Sequence, residues 1–420
     1  MRILVIGGGG REHAIIKKIK ENQLAQKIFA LPGNGGIAYD AVCVDICATD
    51  TENIVKFAKK ENIDFAVIAP DDPLVRGVSD ALRHENILCF GPTKMAAEIE
   101  GSKVFAKNLM KKYSIPTAAY EIFDNADEAC RYIDNSPVPL VIKADGLALG
   151  KGVFIAQSRE EAKEAVKSIM EDKIFGSSGN KIVIEEFLTG PEVSVLAFTD
   201  GKTIVPMVSS MDHKRAYDGD TGPNTGGMGA VAPNPFYTPE IAKECIEKIF
   251  IPTINAMNME NRSFSGCLYF GLMITKKGPY VIEYNCRFGD PETQAVLPLL
   301  KSDLLDIMIH VAKGTLNLAD VEFSKDSSCC VVAVSDGYPK KYDTGFELYL
   351  PEEEGIFVAG AKRNEDGSLI TSGGRVTGVT CTATSLKEAV ERAYEKVSRV
   401  HFENIFYRRD IGKRALEEIK

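Results

Sequence analysis

The stretch Val141-Ile142-Lys143-Ala144-Asp145-Gly146-Leu147-Ala148-Leu149-Gly150-Lys151-Gly152-Val153 reads as strand, loop, strand. An apolar run delivers Lys143, glycines and a lysine follow, and a second β-rich run begins at Val153. Glycines let a backbone approach phosphates closely, and lysines bring point charges to them. The spacing is not that of a P-loop. Only three residues separate Gly146 from Gly150, and Gly152 stands where Ser or Thr should follow Lys151. Lys143, Gly150, Lys151 and Gly152 are therefore candidates for a phosphate-covering loop between two strands. An ordinary hairpin with surface lysines is the plainer alternative.

Around this loop the pattern is compact α+β. Strands are expected at Leu140–Lys143, Val153–Ala156 and Lys181–Phe187, and Ser158–Glu161 is a capping box opening a helix over Ala162–Ile169. The third strand ends in Glu185, Glu186 and Phe187, followed by Leu188 and Glu192. Adjacent glutamates point to opposite faces of a strand, so one is free for a sugar hydroxyl or solvent. Farther on, Val281–Glu292 reads VIEYNCRFGDPE. Period two places Glu283, Asn285 and Arg287 on one face. Two oxygen ligands there suit a hard cation such as Mg²⁺, with phosphates completing the shell. Arg287 can clamp a carboxylate or phosphate. A polar face turned to water explains the alternation but not the dense Gly289-Asp290-Pro291-Glu292 that follows.

Between these blocks, Met211–Pro235 has too little periodicity for regular structure and carries Asp212, Lys214, Pro223 and Asn224. Loops this long inside compact domains are usually functional. A substrate-covering loop is the preferred reading, and a solvated insertion the alternative. Helical and strand patterns resume at Thr238–Asn258, Cys267–Ile274 and Tyr280–Asn285.

The first hundred residues alternate strands (Ile3–Ile6, Ile28–Leu31, Ala41–Ile46, Phe65–Ala69, Ile87–Phe90) with helical patterns (His13–Lys20, Glu52–Lys60, Leu74–His84). That indicates an open parallel sheet with helices on both faces, binding ligands at the carboxyl ends of its strands. Gly8, Gly9, Gly10 and Asp71 lie at such ends. Backbone amides at the turn GGGGREHA can hold a phosphate. The third glycine of a dinucleotide fingerprint is missing, which counts against a nicotinamide oxidoreductase. A helix over Lys103–Lys112 follows, and a β-rich unit with a capped helix from Ser385 closes the chain.

At 420 residues, and roughly 100–200 residues per domain, two to four domains are expected. The net charge of −9 argues against a dedicated nucleic-acid binder. Ten cysteines show no CxxC and no framework, and five histidines show no HxxxH or HExxH, so a zinc hydrolase is not indicated. No apolar run is long enough for a membrane span, and MRILVIGGGG reads as a strand, not a signal peptide. A cytoplasmic protein is expected.

Taken together, these residues resemble the ATP-grasp superfamily, and within it the phosphoribosylamine–glycine ligase family. The resemblance runs from GGGGREHA and LPGNGG through GPTKMAAEIEGSK, VIKADGLALGKGV and IVIEEFLTGPE to DHKRAYDGDTGPNTGGMGA and VIEYNCRFGDPETQ. It continues into SDGYP, TSGGRV and RRDIG. The family implies an α/β and α+β multidomain fold. Its parts would be a Rossmann-like N-terminal domain (1–103), an ATP-grasp region (104–327) with a mobile lid at about 121–190, and a small β-rich C-terminal domain (328–420). Lys103, Lys143, Gly150, Lys151, Gly152, Glu185, Glu186, Phe187, Leu188 and Glu192 match the ATP site. Glu283 and Asn285 match the metal ligands. Arg287, Asp212, Lys214 and Asp290 fall at positions expected to be catalytic. Gly8, Gly9, Gly10, Asp71, Pro223, Asn224 and Gly289 fall in motifs lining the substrate cleft. The chain departs from the family twice. Asp71 stands where Glu is usual, which keeps the charge and shortens the reach, and Leu149 replaces an alanine.

The implied reaction joins glycine to 5-phosphoribosylamine, with ATP going to ADP and phosphate, Mg²⁺ or Mn²⁺ as the metal, and a monomer as the working unit. Another ATP-grasp carboxylate–amine ligase with a different acid or amine is the nearest alternative. A non-catalytic nucleotide sensor is a further one.

Overall fold

In the computed structural model, residues 1–148 and 152–419 are described. Gly150 and Lys151, both expected in the phosphate loop, and Leu149 lie outside the described residues. Strands β1 (Arg2–Gly7), β2 (Lys27–Pro32), β3 (Val42–Cys43), β4 (Phe65–Ile68) and β5 (Leu88–Phe90) form a parallel sheet in the order β3-β2-β1-β4-β5. Ile3 and Val5 enter one core while Leu4 and Ile6 enter the other. Both faces are buried, as a parallel sheet requires. The order reverses direction beside β1, so the turns after β1 and β4 open a crevice at the carboxyl end.

Two expectations for this part change. The single helix over Leu74–His84 is two helices, Asp71–Arg76 and Val78–His84, broken at Gly77 with φ +88°. Ala41–Ile46 shrinks to the two residues of β3 at the sheet edge.

Strands β6 (Tyr120–Phe123), β7 (Leu140–Ala144), β8 (Val153–Ala156) and β9 (Ile182–Glu186) form an antiparallel sheet in the order β6-β9-β7-β8. Helices Ala126–Asp134 and Arg159–Val166 cover it. Its core, with Ile133, Ile142, Val166, Ile182 and Ile184 buried, is a cluster of its own.

Next come β10 (Glu192–Thr199) and β11 (Ile204–Pro206). The stretch expected to be irregular holds four short strands, β12 (Met211–Asp212), β13 (Arg215–Tyr217), β14 (Thr221–Asn224) and β15 (Gly229–Ala232). It is followed by β16 (Gly266–Thr275) and β17 (Gly278–Asn285). The sheet β11-β10-β16-β17 is antiparallel. The last unit contains β18 (Ser327–Ser335), β19 (Ile356–Val358), the hairpin β20 (Ala361–Arg363) with β21 (Leu369–Thr371), β22 (Arg375–Ala383) and β23 (Ile405–Phe406). Its main sheet runs β12-β15-β18-β22-β19, so the central loop donates two strands to the C-terminal sheet.

No described helix is long and apolar enough to cross a membrane.

Candidate active site

Asp145 fixes the start of the glycine-lysine loop. Its Oδ1 accepts from Ser102 Oγ at 2.9 Å and from Val104 N at 2.8 Å, and its carbonyl accepts from Lys103 N. The carboxylate thus sits on the first turn of helix Lys103–Lys112, where the dipole favours negative charge. This lashing brings Lys103 Nζ to 3.1 Å from the Gly146 carbonyl. Gly146 itself packs against Ser178, where a Cβ would collide.

The loop borders one cleft of about 810 Å³ between the β6-β9-β7-β8 sheet, the β10-β16-β17 sheet and the C-terminal unit. Lys103, Lys143, Gly152, Glu185, Glu186, Phe187, Leu188 and Glu192 are among its lining. Asp71, Asp212, Lys214, Asn224, Glu283, Asn285, Arg287 and Asp290 line the remainder. Residues scattered from 71 to 290 in sequence therefore meet in one place. Pro223 instead borders a smaller neighbouring cavity, which it shares with Asn224. Gly8, Gly9, Gly10 and Gly289 pack behind the lining. Gly9 N donates to Glu12 Oε2 at 2.6 Å, so the helix's own glutamate satisfies this amide. A Cβ on Gly10 would strike Gln294, and one on Gly289 would strike Glu292.

The two strand-end glutamates do divide between faces. Glu186 is exposed and accepts from Ala119 N at 2.9 Å. Glu185 is buried, with Lys107 Nζ 3.0 Å from one carboxylate oxygen and Lys143 Nζ 2.9 Å from the other. The Lys143 contact is close but lacks hydrogen-bond alignment, and that oxygen makes no hydrogen bond. Burial lowers the Lys107 ammonium to about 8, against the pull of Glu185. Lys143 also donates to the Ile282 carbonyl on β17, which ties β7 to the acidic strand.

On β17, burial opposes ionisation of Glu283, but Lys214, Lys143, Lys103 and Arg287 outweigh it and hold the carboxyl below its usual range. Lys214 Nζ lies 3.2 Å from Glu192 and 3.7 Å from Glu283. Its ammonium is raised well above its usual value, chiefly by Glu192. Arg287 faces Glu100 at 3.0 Å and Asp71 at 3.8 Å. Arg287 Nε is buried without a hydrogen bond, which leaves a donor for a ligand oxygen. Asp290 accepts from Gln294 at 2.7 Å and pairs with Arg375 at 3.0 Å.

Asp212 is also left unsatisfied. Its Oδ1 is buried without a hydrogen bond. Burial first, and the Glu292 carboxylate second, raise its carboxyl well above the usual range.

A metal fits this lining on its donor chemistry. Glu283 and Asn285 are oxygen donors two residues apart on one strand, both at the cleft surface. The described residues contain no cluster of three or more His, Cys, Asp or Glu able to hold a metal alone. Two protein oxygens completed by phosphates are the Mg²⁺ pattern.

Several lining residues were not singled out in the sequence: Glu100, Lys107, Tyr269, Tyr338 and Arg375. Glu100 and Lys107 lie on helices, and nothing in their spacing separates them from solvated charges.

A nucleotide-sized cleft between two antiparallel sheets, with lysines over an acidic strand, defines the class as an ATP-dependent ligase of ATP-grasp architecture. The comparisons with known proteins agree. Phosphoribosylglycinamide synthetase matches by its N domain over residues 1–100, its ATP-grasp (A) domain over 101–293 and its C domain over 328–414. A phosphoribosylamine–glycine ligase of Clostridium acetobutylicum is 47% identical over 98% of this chain and 100% of its own. The crystal structure of phosphoribosylamine–glycine ligase from Thermotoga maritima superposes with a TM-score of 0.88 at 37% identity, covering 98% of this chain and 100% of that one. The biotin carboxylase domain of Hydrogenobacter thermophilus 2-oxoglutarate carboxylase shares the fold alone, with a TM-score of 0.76 at 18% identity over 96% of this chain and 91% of that one. The chain belongs to the phosphoribosylglycinamide synthetase family, that is, the phosphoribosylamine–glycine ligases. It is an ATP-dependent ligase, and the three-part fold expected from its motifs is the family's.

Proposed function

We propose that this chain joins glycine to 5-phosphoribosylamine, converting ATP to ADP and phosphate through glycyl phosphate. The observation that carries this reading is the convergence of Lys103, Lys143 and Lys214 on Glu283, with Asn285 beside it in one cleft. A carboxylate is a poor acyl donor, so its oxygen first takes the γ-phosphoryl group of ATP. Such transfer needs positioning and charge neutralisation more than covalent help. Lys103, Lys143 and Lys151 act on the phosphates. Gly150 and Gly152 let the lid backbone approach them, while Glu185, Glu186, Phe187, Leu188 and Glu192 receive the adenosine.

Glu283 and Asn285 would hold Mg²⁺ or Mn²⁺, which when bound would supply positive charge to offset that of the phosphates. Arg287, through its free Nε, orients the glycine carboxylate and then the acyl phosphate. The amine nitrogen attacks the acyl carbon, phosphate leaves with the bonding pair, and the nitrogen gives up one proton. Asp212 Oδ1 receives that proton, and burial makes it a willing acceptor. Lys214 and Asp290 flank the reacting groups. Gly8–Gly10, Asp71, Pro223, Asn224 and Gly289 shape the region for the amino sugar.

Domains at 1–103, 104–327 and 328–420, a lid at about 121–190 closing to exclude water, a monomer and a cytoplasmic location belong to the same reading. The separate core of the lid sheet supports its independent movement.

Glu283→Ala tests the reading. Glycine-dependent ADP release should fall at least about a hundredfold with folding intact. Full activity of this variant would remove the metal assignment.

A further inference from the structure

The hairpin β13–β14 carries cleft residues Arg215, Asp220 and Asn224, and Lys214 directly precedes it. It is a two-stranded sheet of three and four residues, paired with no other strand among the described residues. Such a ribbon is not stable by itself. Something outside must hold it.

The partner is the segment that follows β23, nearly two hundred residues on. Arg408 is fully buried and donates from Nε and Nη2 to the two carboxylate oxygens of Asp410, at 2.7 and 2.9 Å. That bidentate pairing fixes the guanidinium plane. Its Nη1 then donates to the Arg215 carbonyl at 3.0 Å and meets Asp220 Oδ1 at 2.9 Å. Asp410 Oδ2 also accepts from Gly219 N at 2.8 Å, and Asp218 accepts from Arg409 N at 2.8 Å. Gly412 N donates to His213 Nε2 at 3.2 Å, and Tyr217 stacks edge-on against Phe406. The residues on both sides of Lys214, Arg215 through its carbonyl and His213 through its imidazole, are therefore held from the terminal segment. The Lys214 carbonyl is itself held by Thr225 N at 2.8 Å.

We infer that Phe406–Gly412 is a latch that orders the β13–β14 hairpin, and that Arg408 is a positioning residue that sets Lys214 between Glu192 and Glu283. Arg408 and Asp410 are not among the described residues that line the cleft, so they act through the residues they hold. The kinetic part of this inference rests on the ligase reading above. The structural part does not.

The experiment uses the full-length chain with Asp410→Asn, which removes the charge at constant volume, and with Arg408→Lys and Arg408→Ala. Three quantities are read: kcat for glycine-dependent ADP release, the melting temperature, and hydrogen exchange at the amides of Gly219 and Thr225. Asp410→Asn should expose both amides, leave the melting temperature near wild type, and lower kcat about tenfold or more, because small misplacements near the reacting atoms are costly. Arg408→Lys should retain more activity than Arg408→Ala. The inference is overturned if the amides stay protected in Asp410→Asn. It is equally overturned if they are released while kcat stays within about twofold of wild type. Should the wild-type chain show no glycine-dependent turnover, the ligase reading fails, and the exchange measurement still decides whether the latch exists.

Discussion

His213 is buried between the cleft loop and the end of the chain, accepting from Gly412 N and facing the Gly229 carbonyl through Nδ1. Burial, with Arg408 nearby, lowers its imidazolium from 6.5 to about 4. Between those two values the unfolded chain binds more protons than the folded one, so stability falls as pH drops through this window. From about pH 7 to about pH 5 this one group should remove about 2 kcal/mol. Urea unfolding at both pH values checks it: the loss in His213→Gln should be smaller by about that amount, and an equal loss would refute the assignment. Its neighbour Asp212 gives a kinetic counterpart. With its carboxyl raised, the base form appears only above the ordinary carboxylate range, so kcat should climb with pH there. Asp212→Asn should lower kcat about a hundredfold and abolish that limb of the profile. Residues of this kind are only half legible in a sequence. Asp212 and His213 stand out within DHKR, but their burial is not visible there, and the Glu292 charge and the Gly412 amide that act on them come from far away in the chain.

The elements with local signals were legible, such as helix Lys103–Lys112 and the Ser385-capped helix Leu386–Val397. The central loop was not. Its strand β15 exists because Ala230 and Val231 pair with Cys330 and Cys329, a hundred positions later. No periodicity over four residues announces such a partner. Likewise, one apolar pattern over Leu74–His84 could not reveal the break at Gly77, where only the left-handed φ marks it. The lid sheet gives the prediction at this scale. Ile184 on β9 is fully buried in a core that the lid does not share. Ile184→Ala should cost about 2–5 kcal/mol locally. Hydrogen exchange should therefore quicken over Leu140–Glu186 while the N-terminal sheet keeps its protection. Uniform loss of protection across the chain would contradict an independent lid.

Across the whole molecule, the N- and C-terminal units meet through specific hydrogen bonds. Asn34, in the LPGNGG motif, donates to the Gly8 and Val358 carbonyls at 2.9 and 2.8 Å and accepts from Gly36 N and Ile37 N. His13 accepts at Nδ1 from Val358 N at 2.9 Å and contacts Asp40 through Nε2. Two motifs that look like ligand turns in the sequence are thus also clamps between units. Asn34→Ala should lower stability by about 2–4 kcal/mol, since it leaves several polar groups unpaired, and denaturant unfolding reads that directly. The cleft is the larger consequence of this packing, because Asp71 of the N-terminal unit, Lys103, Lys143, Lys214, Glu283 and Arg287 of the middle of the chain, and Arg375 of the last unit all line it. The most direct measurement is ADP release from ATP with glycine and freshly made 5-phosphoribosylamine, omitting each in turn. Release that requires both substrates is the expected result. Release that is indifferent to glycine, or that proceeds with a different acid in its place, would contradict the account.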